Sequence, residues 1–86
     1  MNKQYFYLVA LENTKTIKPL KIFLQEYQAI KWGRRKSGEY LLETHDFGYK
    51  YTLYRQEITT NGILEYIKDL IPYGSDFDID KDDILR

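Results

Sequence analysis

The sequence predicts a single small α+β domain with the order β-α-β-β-α-β, its four strands in one antiparallel sheet and both helices on one face. Three observations carry that expectation. The run at 4–11, QYFYLVAL, is aromatic and β-branched without a helical period and reads as a central strand. Two later stretches space their apolar residues by three, four and seven, the mark of an amphipathic helix. Between them, Asp46-Phe47-Gly48 reads as a turn joining two extended runs.

Taken in order, the first strand ends at Leu11, and the polar residues 12–16 make a connection. Ile17, Leu20, Phe23, Leu24, Tyr27 and Ile30 then form one apolar stripe of a first helix. Pro19 suits the first turn of that helix, and Gly33 suits a left-handed stop at its end. Residues 39–44 and 49–58 are the strands of a hairpin. Ile63, Tyr66, Ile67 and Leu70 stripe a second helix, which Pro72 and Gly74 terminate. Phe77 and Ile79 alternate with Asp across 76–80, a short final strand with one wet face. This order matches the ferredoxin-like arrangement.

Composition narrows the function classes. With 86 residues the chain holds one core, and domain boundaries of 1–86 follow. It has no Cys, which removes thiolate nucleophiles, disulfides and thiolate zinc sites, and which fits an intracellular, cytoplasmic protein. The apolar run near the start is too short to span a membrane and lacks a small-residue cleavage site, so no signal peptide is expected. Net charge is zero, yet the charges are segregated. Lys31, Arg34, Arg35 and Lys36 crowd what reads as a loop after the first helix; Asp76, Asp78, Asp80, Asp82 and Asp83 crowd the other end. The 9 Tyr are many for this length, and Tyr offers large contact area at low entropy cost.

No catalytic constellation emerges, so the expected protein is not an enzyme and needs no cofactor. His45 is the sole histidine and sits beside Asp46 in a turn, without a positioned nucleophile. The run 76–83 resembles the start of an EF-hand loop in its acids at the first, third and fifth positions. However, Lys81 stands where the turn needs Gly, and no bidentate Glu follows, so no metal site is expected.

Two binding readings remain. In the first, the chain is a small inhibitor or regulator docking on a nucleic-acid-handling protein complex. Its contacts would be Asp76, Asp78, Asp80, Asp82 and Asp83 with Trp32, Arg34, Arg35 and Lys36. Alternating aspartates on a strand place a charge every ~6.7 Å, about half the linear density of one DNA strand at ~3.4 Å, so mimicry would need help from Glu39, Glu43 or Glu57. In size, lack of cysteine and charge patches the chain is similar in kind to phage-encoded inhibitors such as anti-CRISPR proteins, which implies action by occlusion or acidic mimicry.

In the second, the sheet binds single-stranded nucleic acid. The segment Gly48-Tyr49-Lys50-Tyr51-Thr52-Leu53-Tyr54 is similar to part of the third-strand signature of RNA-recognition motifs. The resemblance implies that Tyr7, Tyr49 and Tyr51 stack bases while Lys31, Arg34, Arg35 and Lys36 hold phosphates. In that register Lys50 would point under the helices, where a lone ammonium is costly. The opposite register puts Lys50, Thr52 and Tyr54 toward water and Tyr49, Tyr51 and Leu53 in the core. A protein partner, direct nucleic acid binding and a homodimer formed by strand addition at the acidic edge are thus the expected associations.

Overall fold

A computed structural model describes residues 3–46 and 48–71; the strand expected at 76–80 and the five aspartates of 76–83 lie outside them. The elements are β1 (Tyr5–Glu12), β2 (Ile17–Phe23), α1 (Glu26–Thr44), β3 (Lys50–Glu57) and β4 (Glu65–Asp69). The strands form one antiparallel sheet in the order β2-β1-β3-β4. Helix α1 leaves β2, passes over β1 and delivers the chain to β3. Because β2 and β3 each run antiparallel to β1, they are parallel to one another, and a helical crossover is the usual way to join such a pair.

The two-helix ferredoxin-like arrangement is therefore corrected to ββαββ with one described helix. Both stretches that looked like the start of helices are edge strands, and the cause is the same in each. A β-bulge interrupts the β1–β2 register between Val9 and Ala10, opposite Lys21 and Pro19, leaving Leu20 as the extra residue. Past a bulge the side-chain alternation slips by one, so Leu20 and Phe23, three apart, both pack on the core. A second bulge opposite Leu53 and Tyr54 leaves Ile67 extra between Tyr66 and Lys68. It brings Ile67 and Leu70, again three apart, to the core side. Pro19 falls on an edge strand, the one place in a sheet that tolerates a missing N–H.

The β1–β2 hairpin closes on Asn13, whose Oδ1 accepts from the backbone N–H groups of Lys15 and Thr16, each at 2.8 Å. That Asx turn ends the extended run that would otherwise feed a helix.

The real helix begins later and runs through the residues expected to form a loop and a strand. Its buried stripe is Ala29, Gly33 and Ser37, spaced by four and almost free of hydrophobic bulk. Small residues let the helix axis come close to the sheet. A Cβ on Gly33 would stand 2.2 Å from Leu70 Cδ1 and 3.4 Å from Val9 Cγ1. So Gly33 is a close-packing residue inside the helix rather than its stop. The stop is His45, in the left-handed region at φ 53°, with its N–H on Leu41 O at 2.9 Å. Thr44 Oγ1 donates to Tyr40 O, and Asp46 N–H donates to Thr44 Oγ1, which fastens the exit.

The core lies between helix and sheet: Val9, Ala29, Tyr51, Leu53 and Leu70, ringed by Tyr7, Leu11, Leu20, Phe23, Ile30, Trp32, Tyr40 and Ile67. Among the described residues no helix is long and apolar enough to cross a membrane.

Candidate functional site

Strand geometry divides the sheet into two unlike faces. On β1 the odd-numbered Tyr7, Val9 and Leu11 pack toward α1, so Phe6, Leu8, Ala10 and Glu12 point the other way. Directly paired residues share a face. That adds Thr52, Tyr54 and Gln56 from β3, Ile17, Pro19 and Ile22 from β2, and Tyr66 and Asp69 from β4. No described element packs on this second face. Ile22 is 58% exposed and Tyr66 53%, while Leu8 and Ala10 on the same face are buried.

A polar network runs along one end of the open face. The Glu12 carboxylate accepts from Thr52 Oγ1 at 2.6 Å and from the Tyr54 hydroxyl. Tyr66 donates to Asp69 Oδ1, and Lys50 Nζ lies 3.3 Å from the same oxygen. The Tyr54 and Tyr66 rings meet edge to face at 5.9 Å. Each phenol is held neutral by donating to a carboxylate. The hydrogen bond to Glu12, aided by burial, pushes Tyr54 up, and the hydrogen bond to Asp69 pushes Tyr66 from 10.0 to about 12. Two carboxylates against one ammonium leave this part of the face weakly acidic.

The helix side is basic and aromatic. Residues 31–36, expected in a loop, occupy the middle of α1. Trp32 packs on Phe23 with ring centroids 5.7 Å apart, and Lys21 Nζ at 5.4 Å and Lys36 Nζ at 5.8 Å from the Trp32 ring centroid both lie over its indole. Lys36 also pairs with Glu39 at 3.4 Å. Lys31 and Arg35 are exposed on the outer surface.

The three tyrosines assigned to base stacking lie toward the helix. Tyr51 is 8% exposed and stacks edge-on against Tyr40 at 6.0 Å, Tyr7 packs against the core, and Tyr49 leans on Tyr40 at 6.5 Å. Burial of Tyr51 raises its pKa, which fits a ring enclosed by protein rather than offered to a ligand. Strand β3 thus turns Lys50, Thr52 and Tyr54 to the far side, but Thr52 is buried there rather than facing water, and Tyr49 is exposed rather than in the core. Glu12, Ile22 and Tyr66 are the surface residues that sequence reading missed. Glu12 looked like part of a connection, Tyr66 fell in a helical stripe, and Ile22 lay outside the stripe of a stretch read as helix.

His45 serves as the helix stop, and Asp46 accepts from the Tyr40 hydroxyl at 3.1 Å, so both turn residues have structural employment. Among the described residues no three His, Cys, Asp or Glu side chains are grouped to hold a metal ion. The sequence matches no protein-family model, no curated protein and no solved structure at a significant level.

Proposed function

We propose that this chain is a non-catalytic binding domain, an inhibitor or regulator that docks on a nucleic-acid-handling protein through the open face of its sheet. One observation carries the reading: a four-stranded sheet whose described helix packs on one side, and whose other side, on which no described element packs, offers Ile17, Ile22, Tyr54 and Tyr66 around a small polar network. Uncovered apolar and aromatic surface rimmed by polar groups is the usual anatomy of a protein-binding patch. The local charge favours a protein over a nucleic-acid strand, because Glu12 and Asp69 would repel phosphates and Lys50 is already paired. A nucleic-acid-handling partner is the choice that the acidic run at 76–83 favours, since such proteins present basic grooves. The absence of Cys fits a cytoplasmic setting for that partnership.

The test is affinity capture from the native host with the unaltered chain and with Ile22→Asp and Tyr66→Asp combined, after nuclease treatment. A nucleic-acid-handling protein retained by the first and lost by the second is the expected outcome, with Ile22→Asp alone weakening capture at unchanged melting temperature. Equal capture by both, or retention that disappears with nuclease, rejects the open face as the docking surface.

A further inference from the structure

A second surface lies across the sheet from the open face and does not depend on what binds there. On β2, Lys18 and Lys21 pair with Leu11 and Val9. Directly paired residues share a face, so both lysines stand on the helix side. On α1 the buried stripe of Ala29, Gly33 and Ser37 fixes how the other positions are turned. At about 100° per residue, Lys31 and Arg35 fall opposite the middle of that stripe, on the outer ridge. Trp32 and Lys36 fall on one flank, and the contact of Trp32 with Phe23 shows that this flank meets β2. Cations from two elements thus form one band that runs from the edge strand over the indole to the outside of the helix.

The centre of the band is held in place. Lys21 Nζ stands 5.4 Å and Lys36 Nζ 5.8 Å from the Trp32 ring centroid, and Lys21 Nζ is also 5.3 Å from that of Phe23. Ring faces attract ammonium groups, so one indole gathers a lysine from each element. Side chains positioned before a ligand arrives lose less freedom when it binds. The acids of α1 lie to either side of this stretch, Glu26 at one end and Glu39 and Glu43 toward the other. Glu39 meets Lys36 at 3.4 Å, but the side chains are 39% and 50% exposed. So open a pair is weak, and an ammonium has three donors to share.

The chemistry of the band selects its occupant. A protein partner is gripped by an aromatic or arginine anchor entering a pocket, whereas Trp32 at the centre is occupied against Phe23 and beneath two lysines. A phosphate backbone requires no such anchor, only several cations within reach. Net charge is zero, so the pull on a polyanion comes from segregation: Glu12 and Asp69 lie on the opposite side of the sheet. We infer that the band of Lys18, Lys21, Lys31, Arg35 and Lys36 binds the sugar–phosphate backbone of a nucleic acid. It does so without reading sequence, because its aromatic ring holds lysines rather than bases.

Fluorescence anisotropy of a short labelled DNA duplex with the full chain tests this. Binding should weaken roughly a hundredfold between about 50 and about 200 mM salt, as for about four phosphate contacts. Two unrelated sequences should bind within about twofold of each other. Lys31→Gln with Arg35→Gln, both exposed, should leave the melting temperature unchanged. The pair should weaken binding at least about tenfold at the lower salt and flatten the logarithmic salt slope by about 2. Lys15→Gln with Lys68→Gln removes the same charge away from the band, and Ile22→Ser alters the open face; each should change affinity less than about twofold. Equal losses in either of these, no binding at low salt, or a slope unmoved by the Lys31 and Arg35 changes overturns the assignment. Tighter binding to phosphatidylserine vesicles or to polyglutamate than to the duplex overturns it in favour of a membrane surface or an acidic protein segment.

Discussion

On the helix side of the sheet Val9, Tyr51 and Leu53 are sealed beneath Ala29, Gly33 and Ser37. On the far side Leu8, Ala10 and Thr52 occupy the same central strands with no described element above them. Both faces bury the centres of these two strands, but the far face adds hydrogen bonds and leaves flanking side chains such as Ile17, Ile22 and Tyr66 exposed. The larger buried side chains, Leu53, Leu70 and Val9, lie on the first face, where most of the apolar stabilisation is expected. The second is held in order by Glu12, Thr52, Tyr54, Tyr66 and Asp69, an arrangement that keeps aromatic surface oriented without covering it.

The sharpest way to break this comparison is to cut the same sheet on both sides. Leu53→Ala empties a fully buried site and should cost about 3 kcal/mol in chemical denaturation. Ile22→Asp on the open face should change stability by no more than ~0.5 kcal/mol, as for exposed positions generally. Similar losses from both would mean that something covers the open face.

A smaller effect separates hydrogen-bonded order from packing. Glu12→Gln keeps the shape but removes the charged acceptor shared by Thr52 and Tyr54. It should cost about 1 kcal/mol and let Tyr54 ionise at lower pH, because its bond to Glu12 is the main cause of its raised value. A Tyr54 titration unmoved by the change would sever the proposed link.

The smallest effect is a pH dependence. Tyr66 is raised in the folded chain from 10.0 to about 12. Its contribution to stability is therefore complete below pH 10.0 and is lost as pH climbs toward about 12. Tyrosinate absorbance should include a phenol titrating near the upper end of that window, and Tyr66→Phe should remove one phenol from that part of the curve. If that part of the curve is unchanged in Tyr66→Phe, it belongs to another tyrosine.

The two faces also explain what was legible in the sequence. The central strands β1 and β3 were readable, since their runs of aromatic and apolar residues carry no helical period. The edge strands were not. Leu20 with Phe23, and Ile67 with Leu70, repeat by three because bulges shift the alternation, and a step of three in a list of hydrophobic residues looks like a helix. The helix itself was hidden for the opposite reason: its contact stripe is Ala29, Gly33 and Ser37, and such residues carry little hydrophobic signal. The basic cluster was visible as composition but was assigned to a loop. The open face was half visible through the cost of burying Lys50, which oriented β3 correctly. Tyr66 and Ile22 could be seen only once their strands were in register.

The pairing of β1 with β3, from Tyr5 opposite Glu57 to Glu12 opposite Lys50, joins parts of the chain far apart in sequence, whereas β1–β2 and β3–β4 are neighbours. Local hairpins close in about 1–10 μs, but distant strands must first meet the entropy of closing a long loop. The central seam is therefore the slow event in folding. Until it forms, the newly made first hairpin displays the bare edge of β1, the most hydrophobic of the described strands, to any other chain in reach. Crowded synthesis at high temperature should expose that weakness before any loss of native stability does.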